Sequence, residues 1–118
     1  MSDSIKQISD DLKKFAIARD WEQFHTPKNL SMALIAETAE LIEHFQWLTP
    51  EQSKSITGEK LKDISHEMAD IFIYLLRMAE QMDIDLVTAT REKMAINEAR
   101  FPADKDSQQN HKDKKYLK

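Results

Sequence analysis

The sequence predicts an all-α protein in which four or five helices form one bundle-like domain. Apolar residues recur at intervals of three and four through most of the chain, which is the period of an amphipathic helix. The 118 residues include one glycine and three prolines, so little of the chain suits the tight turns that join β-strands. A chain of this length forms a modest core, and self-association is a natural way to bury more apolar surface.

Two helices are expected in the first half of the chain. The first runs from about Ser4 to Arg19, because one apolar stripe continues through it: Ile5, Ile8, Leu12 and Phe15. An aromatic-rich segment without clear period follows at residues 21–25. Thr26-Pro27 then marks a helix start, with threonine as the N-cap and proline at the first helical position. This second helix should end near Trp47.

A short helix and a long helix follow. Thr49-Pro50 repeats the start signal, and Gln52 completes a capping box, which predicts a short helix that ends around Thr57-Gly58. The long helix should extend from about Glu59 to Met82. Its inward side is expected to consist of Leu61, Ile64, Met68, Ile71, Leu75 and Met82. The segment DIFIYLL within it is apolar almost all round, which indicates contacts on more than one face.

The last helix should begin after Asp85 as its N-cap, extend from Leu86 to about Arg100, and stop before Pro102. Beyond that proline the chain is polar, charged and without period. We therefore predict one domain over residues 1–102 and a mobile polar tail over residues 103–118.

Composition excludes several functional classes. The formal net charge of −4 and the pI near 5.5 argue against binding to a nucleic-acid polymer. The chain has no cysteine, so it has no disulfide framework and no thiolate nucleophile or ligand. No apolar run reaches the roughly 20 residues that span a bilayer, and the polar N-terminus lacks a signal-peptide core. The expectation is a cytoplasmic protein without a membrane partner.

Four carboxylates occupy positions that amphipathic helices normally give to apolar residues. Glu37 lies three residues after Leu34, within the stripe of the second helix, and Glu40 lies one turn further on. The long helix repeats this arrangement with Glu67 and Asp70. If both helices pack their stripes against a common core, all four acids converge in one region.

Such a cluster requires compensation, because like charges repel and the desolvation of each ion is costly. Few lysines or arginines lie on the neighbouring faces, so a divalent cation is the simplest partner. Oxygen ligands favour Mg²⁺, with Mn²⁺ as a substitute, over Zn²⁺. Since Mg²⁺ shares its coordination with substrate phosphates, the cluster indicates phosphoryl or nucleotidyl chemistry. Alternatively, the helices are rotated and the acids line a solvated groove.

Three segments resemble the MazG-like, all-α nucleoside triphosphate pyrophosphohydrolase superfamily, and within it the dCTP pyrophosphatase branch. They are RDWEQFHTPKNLSMALIAETAELIEHFQWL, EMADIFIYLL and KMAINEARFP. The resemblance covers roughly residues 12 to 102. It implies a homodimer or homotetramer that hydrolyses the α–β phosphate bond of (d)NTPs, with Mg²⁺, to NMP and pyrophosphate.

By position, the resemblance makes the four acids Mg²⁺ ligands and catalytic groups. The residues that it implies for substrate binding are Trp21, His25, Trp47, Tyr74, Lys93 and Asn97. The first three match aromatic residues that enclose the base, Tyr74 matches a residue that touches the substrate, and the last two match positions for the phosphates or sugar. Members of the dCTP-preferring branch also bring a histidine from the first helix toward the base. No histidine precedes His25 here, so the sequence leaves the base preference open.

Two other functions use the same features. A di-iron or di-manganese bundle protein needs Glu-x-x-His pairs, and Glu22 with His25 and Asp63 with His66 show similar spacing. However, the first pair precedes the Thr26 helix start, and the second flanks the apolar stripe. A non-catalytic helical interaction module would use DIFIYLL as a partner surface, which leaves the embedded acids without a purpose.

Overall fold

The computed structural model of the protein describes the backbone of residues 2–103 and the side chains from Ser4 onward. Within this range the chain is all helical, as predicted. Its elements are α1 (Ser2–Ala18), a one-turn 3₁₀ helix (Glu22–Phe24), α2 (Pro27–Glu43), α3 (Pro50–Ser53), α4 (Gly58–Gln81) and α5 (Leu86–Arg100). Apart from Ala103, the predicted tail lies outside the described residues. None of the described helices has both the length and the apolar character that a membrane crossing requires.

Three predicted N-caps are present. The Thr26 hydroxyl accepts a hydrogen bond from the amide three residues later at 3.1 Å. At α3, the Thr49 hydroxyl and the Gln52 side chain form the reciprocal bonds of a capping box, at 3.1 and 2.9 Å. The Asp85 carboxylate caps α5 in the same way at 3.1 Å. Each bond satisfies an amide that the helix itself leaves without an acceptor, which is why these starts can be predicted locally.

Helix ends differ more from the prediction than helix starts. The second helix ends at Glu43, and hydrogen-bonded turns carry the chain through residues 44–47. The short helix ends at Ser53, earlier than predicted, and the 3₁₀ turn in the aromatic segment was not predicted. Neither α2 nor α3 ends in a glycine C-cap, so no local signal marks where the helix stops. Gly58 opens α4 with φ +68°, a left-handed conformation that glycine adopts without strain.

The chain divides into two compact units, the first ending at Ile84 and the second beginning at Asp85. In the first unit, α1 and α2 both pack against α4. The buried apolar residues that form this core are Ala16, Leu30, Ile64, Leu76 and Ala79. The second unit contains α5, and the described part of it ends at Ala103. The predicted domain limit at residue 102 stays a prediction.

The prediction of an inward stripe on α4 is wrong for most of its members. Four of them are 37–57% exposed: Leu61, Met68, Leu75 and Met82. The buried residues of α4 are instead Ile64, Leu76, Arg77 and Ala79. The helices that pack against α4 leave the outer side of α4 uncovered. Within one chain, therefore, only some of the periodic apolar residues of α4 are buried.

Candidate active site

Three carboxylates from α2 and α4 meet at one point, which we call the acid cluster. One oxygen from each of Glu37, Glu67 and Asp70 lies within 4.8 Å of the other two, and all three residues are half-buried. Glu67 and Asp70 are one turn apart on α4 and face Glu37 on α2. The structure therefore brings together three of the four acids that the sequence singles out.

Two oxygens of the acid cluster are buried and have no hydrogen-bond partner among the residues that the structure describes, Glu37 Oε2 and Glu67 Oε2. Burial, together with the neighbouring Glu67 and Glu40, raises the pKa of Glu37 to about 7. Burial also raises the pKa of Glu67, with the charge of Glu40 acting in the same direction. Among the described residues, no lysine or arginine forms an ion pair with the three carboxylates of the acid cluster, so the cluster has neither a positive charge nor a partner for its buried oxygens from that part of the chain. A hard divalent cation provides both, so these residues fit Mg²⁺.

Glu40 is exposed and lies at the edge of the acid cluster rather than in it. It is one turn along α2 from Glu37, and its negative charge contributes to the raised pKa of both Glu37 and Glu67. Its predicted role as a fourth ligand stays a prediction.

A cleft of about 420 Å³ lies next to the acid cluster, with walls from α1, α4 and the aromatic segment between α1 and α2. Its lining includes Leu12, Phe15, Trp21, His25, Asp70 and Tyr74. Asp70 belongs both to this wall and to the acid cluster. A molecule in the cleft therefore has apolar and aromatic surface beside it and carboxylates at one side.

Three of the residues that the resemblance implies for substrate binding line the cleft: Trp21, His25 and Tyr74. The Trp21 ring packs edge-on to Phe15, with centroids 5.6 Å apart, and lies 6.2 Å from the His25 ring. Burial, followed by the charges of Glu37 and Asp70, raises the pKa of Tyr74. Its hydroxyl therefore stays protonated at neutral pH and can donate a hydrogen bond.

The other three implied residues are not among the described residues that line the cleft. Trp47 follows α2, is 88% exposed, and is not among the described residues that line the cleft. Lys93 and Asn97 are exposed and one turn apart on α5, in the second unit. Their roles in substrate binding stay predictions.

The sequence analysis missed two charged residues that line the cleft, Asp11 and Arg77. The Arg77 side chain is 3% exposed and forms ion pairs with Glu22 and with Glu80, the latter at 3.2 Å. Its Nε donates a hydrogen bond to His25 Nδ1 at 3.3 Å. Lys13 Nζ lies 3.0 Å from Glu80, so the network joins α1 to α4. The available signal in the sequence was that Arg77, the one arginine of α4, directly follows the apolar segment DIFIYLL.

Comparisons with known proteins identify the family of this chain. The family model described as "MazG-like family" matches residues 32–115. Human dCTP pyrophosphatase 1 is 41% identical over 92 residues, which cover 76% of this chain and 54% of that protein. The mouse protein of the same name is 38% identical over 91 residues, which cover 75% of this chain and 54% of that protein. The chain therefore spans about half the length of these curated relatives.

A solved structure shares the fold at high coverage. The crystal structure of a pyrophosphatase from Archaeoglobus fulgidus is similar with a TM-score of 0.80 and 33% sequence identity. The match covers 84% of this chain and 93% of that chain.

Proposed function

Because the chain belongs to the MazG-like family, as its sequence predicts, we propose that it is a Mg²⁺-dependent nucleoside triphosphate pyrophosphohydrolase. It hydrolyses the α–β bond of (d)NTPs and releases NMP and pyrophosphate. The first candidate substrates are dCTP and modified pyrimidine dNTPs, since the curated relatives are dCTP pyrophosphatases. A cytoplasmic location accords with such a role.

The observation that carries this proposal is the position of Asp70. It lies in the wall of an aromatic cleft and in a cluster of carboxylates, two of whose oxygens are buried without a partner in the described part of the chain. A nucleotide has the matching polarity, because its base is flat and stacks on aromatic rings while its triphosphate needs a cation. Stacking of a base on an aromatic side chain contributes about 1–3 kcal/mol.

The residues divide the work as follows. Glu37, Glu67 and Asp70 would hold Mg²⁺, with Glu40 at the edge of the site. When bound, the metal would supply positive charge that neutralises the triphosphate and polarises the reacting groups. We assign the role of general base to Glu40: its exposed carboxylate beside the cluster would accept a proton from the water that attacks the α-phosphorus. Lys93 and Asn97 keep the phosphate or sugar contacts that the resemblance implies.

The base occupies the cleft among Trp21, His25 and Tyr74. The α1 residues in its wall include Asp11 and Leu12 but no histidine, so α1 offers no imidazole to a cytosine amino group. Base preference is therefore set by a different group from the one that the dCTP-preferring branch uses.

A panel of canonical and modified (d)NTPs with Mg²⁺ tests the reaction directly. We expect pyrophosphate and the corresponding NMP in equal amounts, no activity in EDTA, and recovery on adding Mg²⁺ or Mn²⁺. Separate assays for pyrophosphate and for single phosphate identify the cleaved bond. Release of single phosphate alone would assign the cut to the β–γ bond and contradict the proposal.

The di-iron alternative requires Glu22 and His25 as one of its two ligand pairs, and in this structure both residues contact Arg77 instead. Glu22 forms an ion pair with Arg77, and His25 accepts a hydrogen bond from the same guanidinium. His66, from the other pair, is exposed and is not part of the acid cluster. The donor set at the cluster is carboxylate oxygen, which suits Mg²⁺.

We also propose that the active form is a homodimer or homotetramer. On α2, an outward stripe consists of Met32, Ile35 and Ile42, which are 59–71% exposed. On α4, the outward stripe consists of Leu61, Met68, Phe72, Leu75 and Met82. Exposed apolar stripes on two helices that pack against each other are typical of a protein–protein contact, and in this proposal a second copy of the chain covers them.

Ile35→Glu tests this association. A carboxylate in an apolar interface loses its hydration without gaining a partner, so we expect the variant to elute as a monomer. Ile17→Glu is the matched control, because Ile17 is an exposed isoleucine on α1 at 56% exposure. Light scattering coupled to gel filtration measures both masses. A wild-type monomer, or equal dissociation by both substitutions, would argue against these stripes as the interface.

A further inference from the structure

The hydrogen bond between Arg77 and His25 determines which imidazole nitrogen can carry a proton. The guanidinium Nε is always a donor, and it lies 3.3 Å from His25 Nδ1. Nδ1 must therefore accept, so the hydrogen of the neutral ring resides on Nε2. In the described part of the chain, no hydrogen bond occupies Nε2. Since His25 lines the cleft, this N–H is available to a bound molecule.

The guanidinium itself is held from several sides. Glu22 and Glu80 pair with its two terminal nitrogens, and Gln81 donates to the other oxygen of Glu22 at 3.4 Å. With its side chain only 3% exposed, Arg77 has little freedom to turn away from the imidazole. A buried, ion-paired arginine is a rigid support for the histidine that it contacts.

The charge state of His25 agrees with this arrangement. Burial, followed by the positive charge of Arg77, lowers the pKa of His25, although Glu22 acts in the opposite direction. The ring is therefore neutral at physiological pH, with one donor and one acceptor. Because Arg77 already uses the acceptor, only the donor remains for a ligand.

We propose that Arg77 is a positioning residue that holds His25 in its Nε2–H form, so that the imidazole donates a hydrogen bond to a carbonyl oxygen of the nucleobase. The inference rests on the proposed function and adds a specificity element to it. A group that can only donate recognises a carbonyl and gains nothing from an amino group. A carbonyl oxygen, rather than an amino group, is therefore the feature of the base that His25 reads.

NMR of the imidazole nitrogens tests the positioning step without any substrate. Long-range ¹H–¹⁵N spectra of the wild-type protein should show His25 protonated at Nε2 and unprotonated at Nδ1. In Arg77→Met the donor to Nδ1 is lost, and we expect a mixture of both tautomers. Glu80→Gln is the matched control, because it breaks an ion pair of the same arginine but keeps the Nε donor, and its tautomer should match the wild type.

Kinetics test the contact with the base. We expect His25→Ala to raise KM far more than it lowers kcat, and Arg77→Met to do the same to a smaller degree. If Arg77 acts through His25, the double variant should be within about twofold of His25→Ala. Replacing the pyrimidine 2-carbonyl oxygen by sulfur, a weak acceptor, should reduce kcat/KM about fivefold in the wild type, as expected for one neutral hydrogen bond. The same replacement should change kcat/KM less than twofold in Arg77→Met.

The outcomes separate this inference from the proposed function. A wild-type His25 protonated at Nδ1 overturns the inference whether or not Arg77→Met folds, because that measurement needs no variant. An unchanged tautomer in Arg77→Met, or additive losses in the double variant, also overturns it while the hydrolase activity stands. A wild-type protein that hydrolyses no (d)NTP overturns the function and the base contact together, even if the tautomer is as expected.

Discussion

Asp70→Asn is expected to lower kcat/KM for the preferred (d)NTP by about a thousandfold and to leave the helical content unchanged. Asp70 is the residue shared by the acid cluster and the cleft wall, so its carboxylate acts where the metal and the substrate meet. Charge stabilisation by a bound metal contributes several kcal/mol to the transition state, and about 4 kcal/mol corresponds to a thousandfold in rate. Steady-state pyrophosphate release measures the loss, and circular dichroism checks the fold.

Asp63→Asn is the matched control for this substitution. Asp63 lies two turns earlier on the same side of α4 and is exposed, and it is not part of the acid cluster. The chemical change is the same as in Asp70→Asn, but Asp63 is a surface position. The activity of the Asp63→Asn variant should therefore remain within about twofold of the wild type. Near wild-type activity of Asp70→Asn would remove the acid cluster from the mechanism.

Glu37→Gln should stabilise the protein without Mg²⁺ and remove most of the stabilisation that Mg²⁺ gives. In the wild type, repulsion and burial within the acid cluster oppose folding whenever the carboxylates are ionised. Mg²⁺ at about a hundred times its Kd should stabilise the wild type by about 2.7 kcal/mol. The variant should gain less than about 1 kcal/mol under the same conditions, because a charged ligand is missing. Urea unfolding with and without Mg²⁺ at about pH 8 measures both free energies.

The pH dependence of this effect has a definite sign. The pKa of Glu37 is raised from 4.5 to about 7 in the folded protein, so the folded chain holds this proton more tightly than the unfolded chain. The stability of the metal-free protein should therefore fall as pH rises between about 4.5 and 7, and this contribution should level off above pH 7. Glu67, whose pKa is also raised, adds to the fall. Glu37→Gln should show a shallower decline, because its amide does not ionise.

Glu59→Gln controls for the loss of one negative charge. Glu59 is exposed in the first turn of α4, about two turns before Glu67, and is not part of the acid cluster, so its substitution should leave both the pH profile and the response to Mg²⁺ as in the wild type. If Glu37→Gln proves less stable than the wild type at about pH 8 without Mg²⁺, repulsion and burial of the ionised acid cluster do not destabilise the wild-type protein, and the prediction is wrong.

Much of the fold could be predicted because the information is local. Helix starts depend on side chains such as Thr26 and Thr49 that bond an amide three residues away, and the capping bonds of the structure match those predictions. The acids of the site could be recognised for a related reason. A carboxylate within an apolar stripe breaks the local pattern, and Glu37 and Glu67 both do so, although only packing of α2 against α4 shows that they meet.

The all-α class, the helix starts and the identity of the clustered acids follow from local sequence pattern, because each depends on contacts within a turn or two of one helix. Which residues meet across helices is visible only in the tertiary structure. It placed Asp70 in both the cluster and the cleft, left Glu40 at the edge, and joined Arg77 to His25 over 52 positions of chain. It also showed that the apolar stripe on α4 faces outward. These results depend on how each helix is rotated about its axis, and the periodicity of a helix identifies its faces without saying what each face contacts.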